Sequence, residues 1–369
     1  MVVVKALFFG SLGALVWTHA AYPVAASALA RLRGRPIRRQ PGVEPAATVV
    51  VAAYNEETVI ERRLENLLAL DYPPVKLRIV VASDASSDRT NELVAAVAAR
   101  EPRVALLDCP RGGKVAAQDR AVRDATSAIV AFSDANCTWA PDALRRLVEA
   151  LADPEVAYAC GQLRLETASG DNREGAYWRY EMWQRASESR LGSITGGNGS
   201  IYALRRDDYV EVDPRMGHDL SLPYRMVQRG RRAVYVPEAH AFEKPTPSNL
   251  SEYRRKVRMF EHCWLITLRG GMLRRLPPLY LAEIVSHRVL RYGSGLLHLV
   301  LAATNLVLLG EGVLYWLVLA GQLAFLGAVV AGVPIARYYA FVTWATVQAL
   351  VNYLRRGVPA TWEAAEGTR

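Results

Sequence analysis

The chain has little that would staple or ligate it. Its four cysteines, Cys109, Cys137, Cys160 and Cys263, are far apart and form no CxxC pair. That argues against a cysteine-built zinc site and a disulfide framework, and reduced thiols in a cytosolic compartment fit best. Two phosphate-binding signatures are also missing. There is no GxxxxGK[ST] loop and no GxGxxG followed by an acid, so neither a P-loop nor a Rossmann dinucleotide site is expected. No internal repeat or long low-complexity segment interrupts the 369 residues. Aromatic-interleaved basic stripes are not evident, so nucleic acid is not an expected partner.

What the chain does have is positive charge beside apolar runs. Lys and Arg outnumber Asp and Glu by 45 to 36, a net charge of +9. Such an excess suits an anionic membrane surface or a phosphate-bearing substrate. Residues 6–30 carry no Asp, Glu, Lys or Arg, which is long enough to cross a bilayer. Arg31, Arg33, Arg35, Arg38 and Arg39 follow directly, which puts this end in the cytoplasm and the N-terminus outside. A cleaved signal peptide is the rival reading, but the run is long and the basic cluster lies on the wrong side. Residues 1–35 are therefore expected to be an uncleaved anchor, with Pro23 a place for a kink.

Near the other end, 273–291 mixes Leu, Pro and Arg and reads as an amphipathic segment in the interface. Residues 296–309 and 314–333 are apolar and separated by Gly310-Glu311-Gly312, which predicts a hairpin that crosses and returns. The short apolar stretch 338–350 is either interfacial or a third crossing, and the first keeps the C-terminus cytoplasmic. Residues 266–357 thus form a region of interfacial and transmembrane helices, and 358–369 a polar tail.

Between these lie a Pro-rich linker, 36–47, and an alternating pattern. Residues 48–53, 77–82, 104–108 and 129–133 read as buried strands, and 59–70, 90–100 and 115–125 as helices. This alternation predicts a mostly parallel α/β sheet wound by right-handed crossovers. Three strands end in acids or amides, at Asn55-Glu56, Asp84 and Asp134, where open α/β sheets bind ligands. Asp134 and Asn136 are two residues apart, so in extended chain they point the same way and can hold a hard divalent cation. An Asx turn explains them as well. Acids gathered on one rim cost energy unless a cation is present. Arg111-Gly112-Gly113-Lys114 precedes a helix; its N–H groups and Lys114 could hold phosphates, although a solvated Gly-Gly turn is the commoner explanation.

In order along the chain, residues 49–57, Ser83–Asp88, Gly112-Gly113-Lys114 and residues 132–136 resemble the nucleotide-sugar half of family 2 glycosyltransferases of the GT-A fold. Residues 195–206 are similar to the family's glycine-rich acceptor strand, and Gly217-His218-Asp219 stands where the family has Glu-Asp. Arg254-Arg255-Lys256-Val257-Arg258 with Trp264 stands where processive members carry QxxRW. The resemblance covers about residues 48–265. It implies a catalytic domain at 46–265, with a nucleotide-sugar half at 46–140 and an acceptor half at 141–265.

By resemblance, Tyr54, Asn55 and Glu56 flank the nucleotide, Asp84 contacts the base, and Lys114 lies near the donor. Asp88 either joins them or caps the helix near Thr90. Asp134 would bind Mg2+ or Mn2+ on the donor diphosphate, with Asn136 a weaker ligand in place of a second aspartate. Asp219 is the expected general base, unless it is only a cap for the helix 220–228. His218 would tune Asp219, touch the acceptor, or be the base itself. Arg255 and Arg258 share a helix face and suit diphosphate oxygens; lipid headgroups are the alternative for their neighbours. Trp264 would sit under the acceptor sugar or in an aromatic belt. Asn198 and Glu243 are acceptor-side candidates.

The implied function is that of a multi-pass inner-membrane inverting glycosyltransferase with a cytoplasmic catalytic domain. It would move a sugar from a nucleotide-diphosphate donor to a lipid-linked glycan, glycolipid or exopolysaccharide. A non-catalytic sugar-nucleotide-binding protein and a processive polysaccharide synthase are the alternatives. Without the Gln of QxxRW, transfer of a single sugar is favoured.

Overall fold

A computed structural model describes residues 1–165, 175–244 and 249–361. Of the expected polar tail, 358–369, residues 362–369 fall outside them. The chain opens with helices α1 (Val2–Val16) and α2 (Tyr22–Arg33), joined through a π-helical turn, Trp17–Ala21. The wider turn lies just before Pro23, whose ring cannot fit a regular helix interior.

The chain then alternates strands and helices as expected. Strand β1 (Ala47–Ala53) is followed by α3 (Ile60–Leu68), β2 (Leu77–Asp84), α4 (Thr90–Ala98), β3 (Val104–Cys109), α5 (Lys114–Asp124) and β4 (Ile129–Asp134). Next come β5 (Cys137–Trp139), α6 (Ala143–Leu151), β6 (Val156–Leu165), α7 (Ala176–Leu191), β7 (Ile201–Arg205), α8 (His218–Gln228), β8 (Arg232–Glu243) and α9 (Asn249–Arg269).

One eight-stranded sheet results, in the order β3-β2-β1-β4-β7-β6-β8-β5. The first four strands are parallel. Strand β7 runs antiparallel to β4 and to β6, β8 is parallel to β6, and β5 is antiparallel to β8. The sheet is therefore mixed: its second half departs from the parallel pattern that the alternation predicts.

Alternate side chains of each strand serve opposite faces. Val49 and Val51 pack with Ile79, Val81, Ile60, Leu64, Val94 and Leu144 on one face. Val50, Phe132, Tyr202 and Tyr158 pack with Val115, Ala121, Leu220 and Tyr224 on the other. On that second face Phe132 stacks on Tyr202 at 4.7 Å and Tyr202 on Tyr158 at 5.4 Å between ring centroids, an aromatic ladder across β4, β7 and β6.

Past α9 the chain forms α10 (Pro278–Ile284), a second π-helical turn (Val285–Val289) and α11 (Leu290–Tyr292). Then come α12 (Ser294–Leu308), α13 (Val313–Val330) and α14 (Pro334–Arg356). Three helical segments among the described residues are long and apolar enough to span a bilayer: Val2–Arg33, Ser294–Glu311 and Val313–Val330. The first and second run antiparallel, with Lys5 on Glu311 at 2.7 Å and His19 on Ser294 at 3.0 Å. Helix α14 instead packs on α9, where Trp264 Nε1 donates to Thr346 O at 3.0 Å.

Candidate active site

The register fixes the rim. Ala52 of β1 pairs with Ala82 of β2 and with Asp134 of β4, so Asp84 and Asp134 flank the end of β1. Beneath the end of β4 lies Arg63, a buried guanidinium that donates to Ser133 Oγ at 2.6 Å and lies 5.2 Å from the Trp139 ring.

Asp84 is buried and holds the turn before α5. Gly112 N donates to its Oδ1 at 2.7 Å, Gly113 N to both oxygens at 3.0 Å, and Arg111 is ion-paired to it. This corrects the phosphate-binding expectation for those two amides: a buried carboxylate already takes them. Arg111 also stacks on Tyr54, 3.4 Å from the ring centroid. Gly113 is required here, because φ is +92° and a Cβ would sit 2.1 Å from Ala360 O.

The first two loops are tied together. Asn55 Oδ1 accepts from Ser87 N at 2.8 Å, and Glu56, which is buried, donates its N–H to Thr90 Oγ1 at 2.8 Å. Asp88 accepts from Thr90 N and Glu57 N, which is the capping role.

Lys114 is ion-paired to Asp134, whose other oxygen accepts from Ser200 Oγ at 3.0 Å. Burial pushes the Lys114 ammonium down, but Asp134 and then Asp219 outweigh it and hold it above its ordinary value. Lys114 is thus paired to Asp134 and acted on by the charge of Asp219. Asn136 Nδ2 donates to Glu243 Oε1 at 2.9 Å. Burial first, and Asp134 second, push the Glu243 carboxyl up. Glu243 therefore belongs to the Asp134 cluster, not to the acceptor side where the sequence suggested it. Pairing of β5 with β8, Cys137 with Glu243, brings it there.

No three His, Cys, Asp or Glu residues gather as a metal cluster among the described residues. The donor set is two carboxylates and an amide, Asp134, Glu243 and Asn136. Oxygen donors of this kind suit a hard cation, and burial, with Asp134 second, raises the Glu243 carboxyl. Arg255 adjoins this cluster: Glu243 acts on its charge, and Glu252 anchors it at 2.8 Å. Arg258 lies further along α9 beside Arg255 and Glu261.

On the acceptor side, Gly197 N donates to Asp219 O at 2.6 Å. That bond joins the loop 195–199 to the head of α8. Asn198 Oδ1 accepts from Ser200 N at 3.0 Å. The structure does not bring His218 to the site. It is buried, bonded to Tyr202 Oη at 2.8 Å and Tyr209 Oη at 3.2 Å. Burial, then Lys114, push it down to about 3, so it is neutral and only weakly basic. Trp264 is likewise buried against α14, which removes it from an acceptor-sugar platform.

The sequence profile of glycosyl transferase family 2 matches residues 48–212. A mannosyltransferase from Pyrobaculum calidifontis, solved with GDP-Man and Mn2+, superposes with a TM-score of 0.72 over 96% of this chain and 98% of that one, at 24% identity. Residues 48–212 are those of a family 2 glycosyltransferase. This glycosyltransferase has the GT-A fold. An N-acetylglucosaminyltransferase of Rhizobium meliloti is 29% identical over 70% of this chain and 67% of its own length. A β-monoglucosyldiacylglycerol synthase of Synechocystis is 29% identical over 45% of this chain and 36% of its own. The chain spans about three fifths of the length of the first N-acetylglucosaminyltransferases it matches.

Proposed function

We propose that this glycosyltransferase transfers a sugar, with inversion, from a nucleotide-diphosphate donor to an acceptor at the cytoplasmic face of a membrane. The observation that supports the reading is Lys114 paired to Asp134, with the Asp219 carboxylate near enough to act on its charge. Asp219 takes the proton of the acceptor hydroxyl as that oxygen bonds to the anomeric carbon, and the bond from that carbon to the diphosphate oxygen breaks. Asp134, Asn136 and Glu243 would hold Mg2+ or Mn2+, which when bound neutralises charge on the departing diphosphate. Lys114 and Arg255 supply fixed positive charge at the same end. Tyr54, Asn55, Glu56, Asp84 and Arg111 form the wall for the nucleotide.

A membrane acceptor is supported by the three apolar helices and by the glycolipid product in one relative's name. Arg31, Arg33, Arg35, Arg38 and Arg39 favour the cytoplasmic side. A binding-only protein is the second reading, favoured by Lys114 already pairing with Asp134. The test is a panel of UDP-, GDP- and dTDP-sugars, read by thermal stabilisation with and without Mn2+ and by slow donor hydrolysis. Stabilisation with cleavage supports the enzyme; stabilisation that protects the donor supports the binder; neither removes the donor site.

A further inference from the structure

A cavity of about 540 Å3 opens where the end of α8 meets the turn after α9. Five arginines line it, Arg225 and Arg229 at the end of α8 and Arg269, Arg274 and Arg275 at the end of α9 and beyond, and no acid does. Neither the donor rim nor Asp219 takes part. Asp219 stands at the other end of α8; Arg229 is ten residues on, about 15 Å along a helix.

The frame of this cavity is bonded. Tyr224 Oη donates to Gly270 O at 2.8 Å, and Arg225 Nη2 donates to the same oxygen at 3.1 Å. Gln228 Nε2 donates to Gly271 O at 3.0 Å and to Arg274 O at 2.8 Å. Gly271, at φ +70°, turns the chain there. The turn is thus held against α8 by groups of α8 itself.

The remaining guanidiniums are left over. Among the described residues, Arg229, Arg269, Arg274 and Arg275 make no side-chain hydrogen bond and no ion pair, and Arg225 Nε is buried without a partner. Elsewhere in the α/β region arginines are answered: Arg123 by Glu211 at 2.6 Å, Arg145 by Glu44 at 2.7 Å and Arg215 by Asp213 at 2.6 Å. The negative ends of α8 and α9 account for Arg225 and Arg269. They do not account for Arg229, Arg274 and Arg275, which lie past the last helical residues. Like charges gathered around one space repel, and an anion among them relieves that cost. Guanidinium forks match phosphate oxygens two at a time.

We propose that this cavity is a second anion site, remote from sugar transfer, for a ligand that carries clustered phosphates. Leu268, Leu273 and Leu279, beside these arginines in the chain, are exposed. A phospholipid headgroup with its acyl chains on the leucines and a free polyphosphate offer the same chemistry. The inference goes beyond the donor reading and does not depend on it.

The test uses the full chain in neutral-detergent micelles with EDTA at about 0.15 M salt, where distant charges are screened. Two probes separate the sources: tripolyphosphate, and cardiolipin doped into the micelles with phosphatidylcholine as its control. The wild type is expected to bind one of them at least about tenfold more tightly than the triple variant Arg229→Gln, Arg274→Gln, Arg275→Gln. The probe bound more tightly names the source. A control triple, Arg62→Gln, Arg78→Gln, Arg100→Gln, removes the same charge from exposed arginines around α3, β2 and α4. It should bind within about twofold of the wild type. Equal losses in the two triples show attraction to net charge alone and overturn the site. So does binding that the site triple leaves intact, or no binding of either probe by the wild type. If the site triple does not fold, Arg275→Gln alone decides: a severalfold loss upholds the site and unchanged binding overturns it.

Discussion

The two sides of the cleft are built on opposite plans. On the donor side three acids are already answered: Asp84 by Arg111 and two amides, Asp134 by Lys114 and Ser200, Glu243 by Asn136. On the acceptor side the buried Tyr158 hydroxyl and the Asn198 amide nitrogen have no hydrogen-bond partner. The donor rim is thus a closed electrostatic lattice, whereas the acceptor side leaves polar groups unmatched.

Substitutions can break that contrast. The largest effect is expected at Asp219, the carboxylate without a substitute: Asp219→Asn should lower sugar transfer by about 10²- to 10⁴-fold, the range for a lost general base. It should keep donor-dependent thermal stabilisation, and an Asp219→Asn protein with normal turnover ends its assignment as base. Next, Asp134→Ala should abolish the Mn2+-dependent part of donor stabilisation, read by thermal shift. A smaller, opposite effect sharpens the picture at Lys114. Lys114→Met removes the cation's rival for Asp134, so the donor-free protein should bind Mn2+ severalfold more tightly while donor affinity falls. Calorimetric titration checks both signs.

The smallest effect concerns pH. His218 is held near 3 in the fold against an ordinary 6.5, so the stability it contributes is present above 6.5 and drains away as pH falls. Asp119, raised to about 6 by burial and bonded to Tyr209, has the opposite sign: its share is full at the lowest pH and is lost as pH rises through 6. The melting temperature should therefore begin to drop just below pH 6.5, and His218→Phe should flatten that first decline. An unchanged slope in His218→Phe would show that His218 is not the group responsible.

How much of this could be read from the sequence follows from how local each signal is. Strands β1, β2 and β4 announce themselves as buried β-branched runs, and their polar ends mark the rim. Strand β8 hides, because its twelve residues, Arg232–Glu243, mix apolar and polar types and include Pro237. Glu243 was out of reach as a member of the cation cluster, since only the long-range pairing with Cys137 delivers it. Ser200 and Arg63 carried no signal for the same reason. His218 misled because it abuts Asp219 in the chain; neighbours in a helix do not share a face, and the first turn of α8 sends the imidazole into the tyrosines. The orphaned donors on the glycine loop have no sequence signature, because they exist only once β6 and the second π-helical turn close over it.

The π-helical turn near Pro23 also has a practical consequence. Trp17 donates to Ser286 Oγ at 2.8 Å, Thr18 to Ser286 O at 2.6 Å, and Tyr22 to Glu188 at 2.8 Å. The leading helix is therefore no detachable tether. A soluble truncation starting after Arg33 would strip one wall from the buried Glu188–His287 pair that props Thr195, and would loosen the loop that Gly197 ties to Asp219.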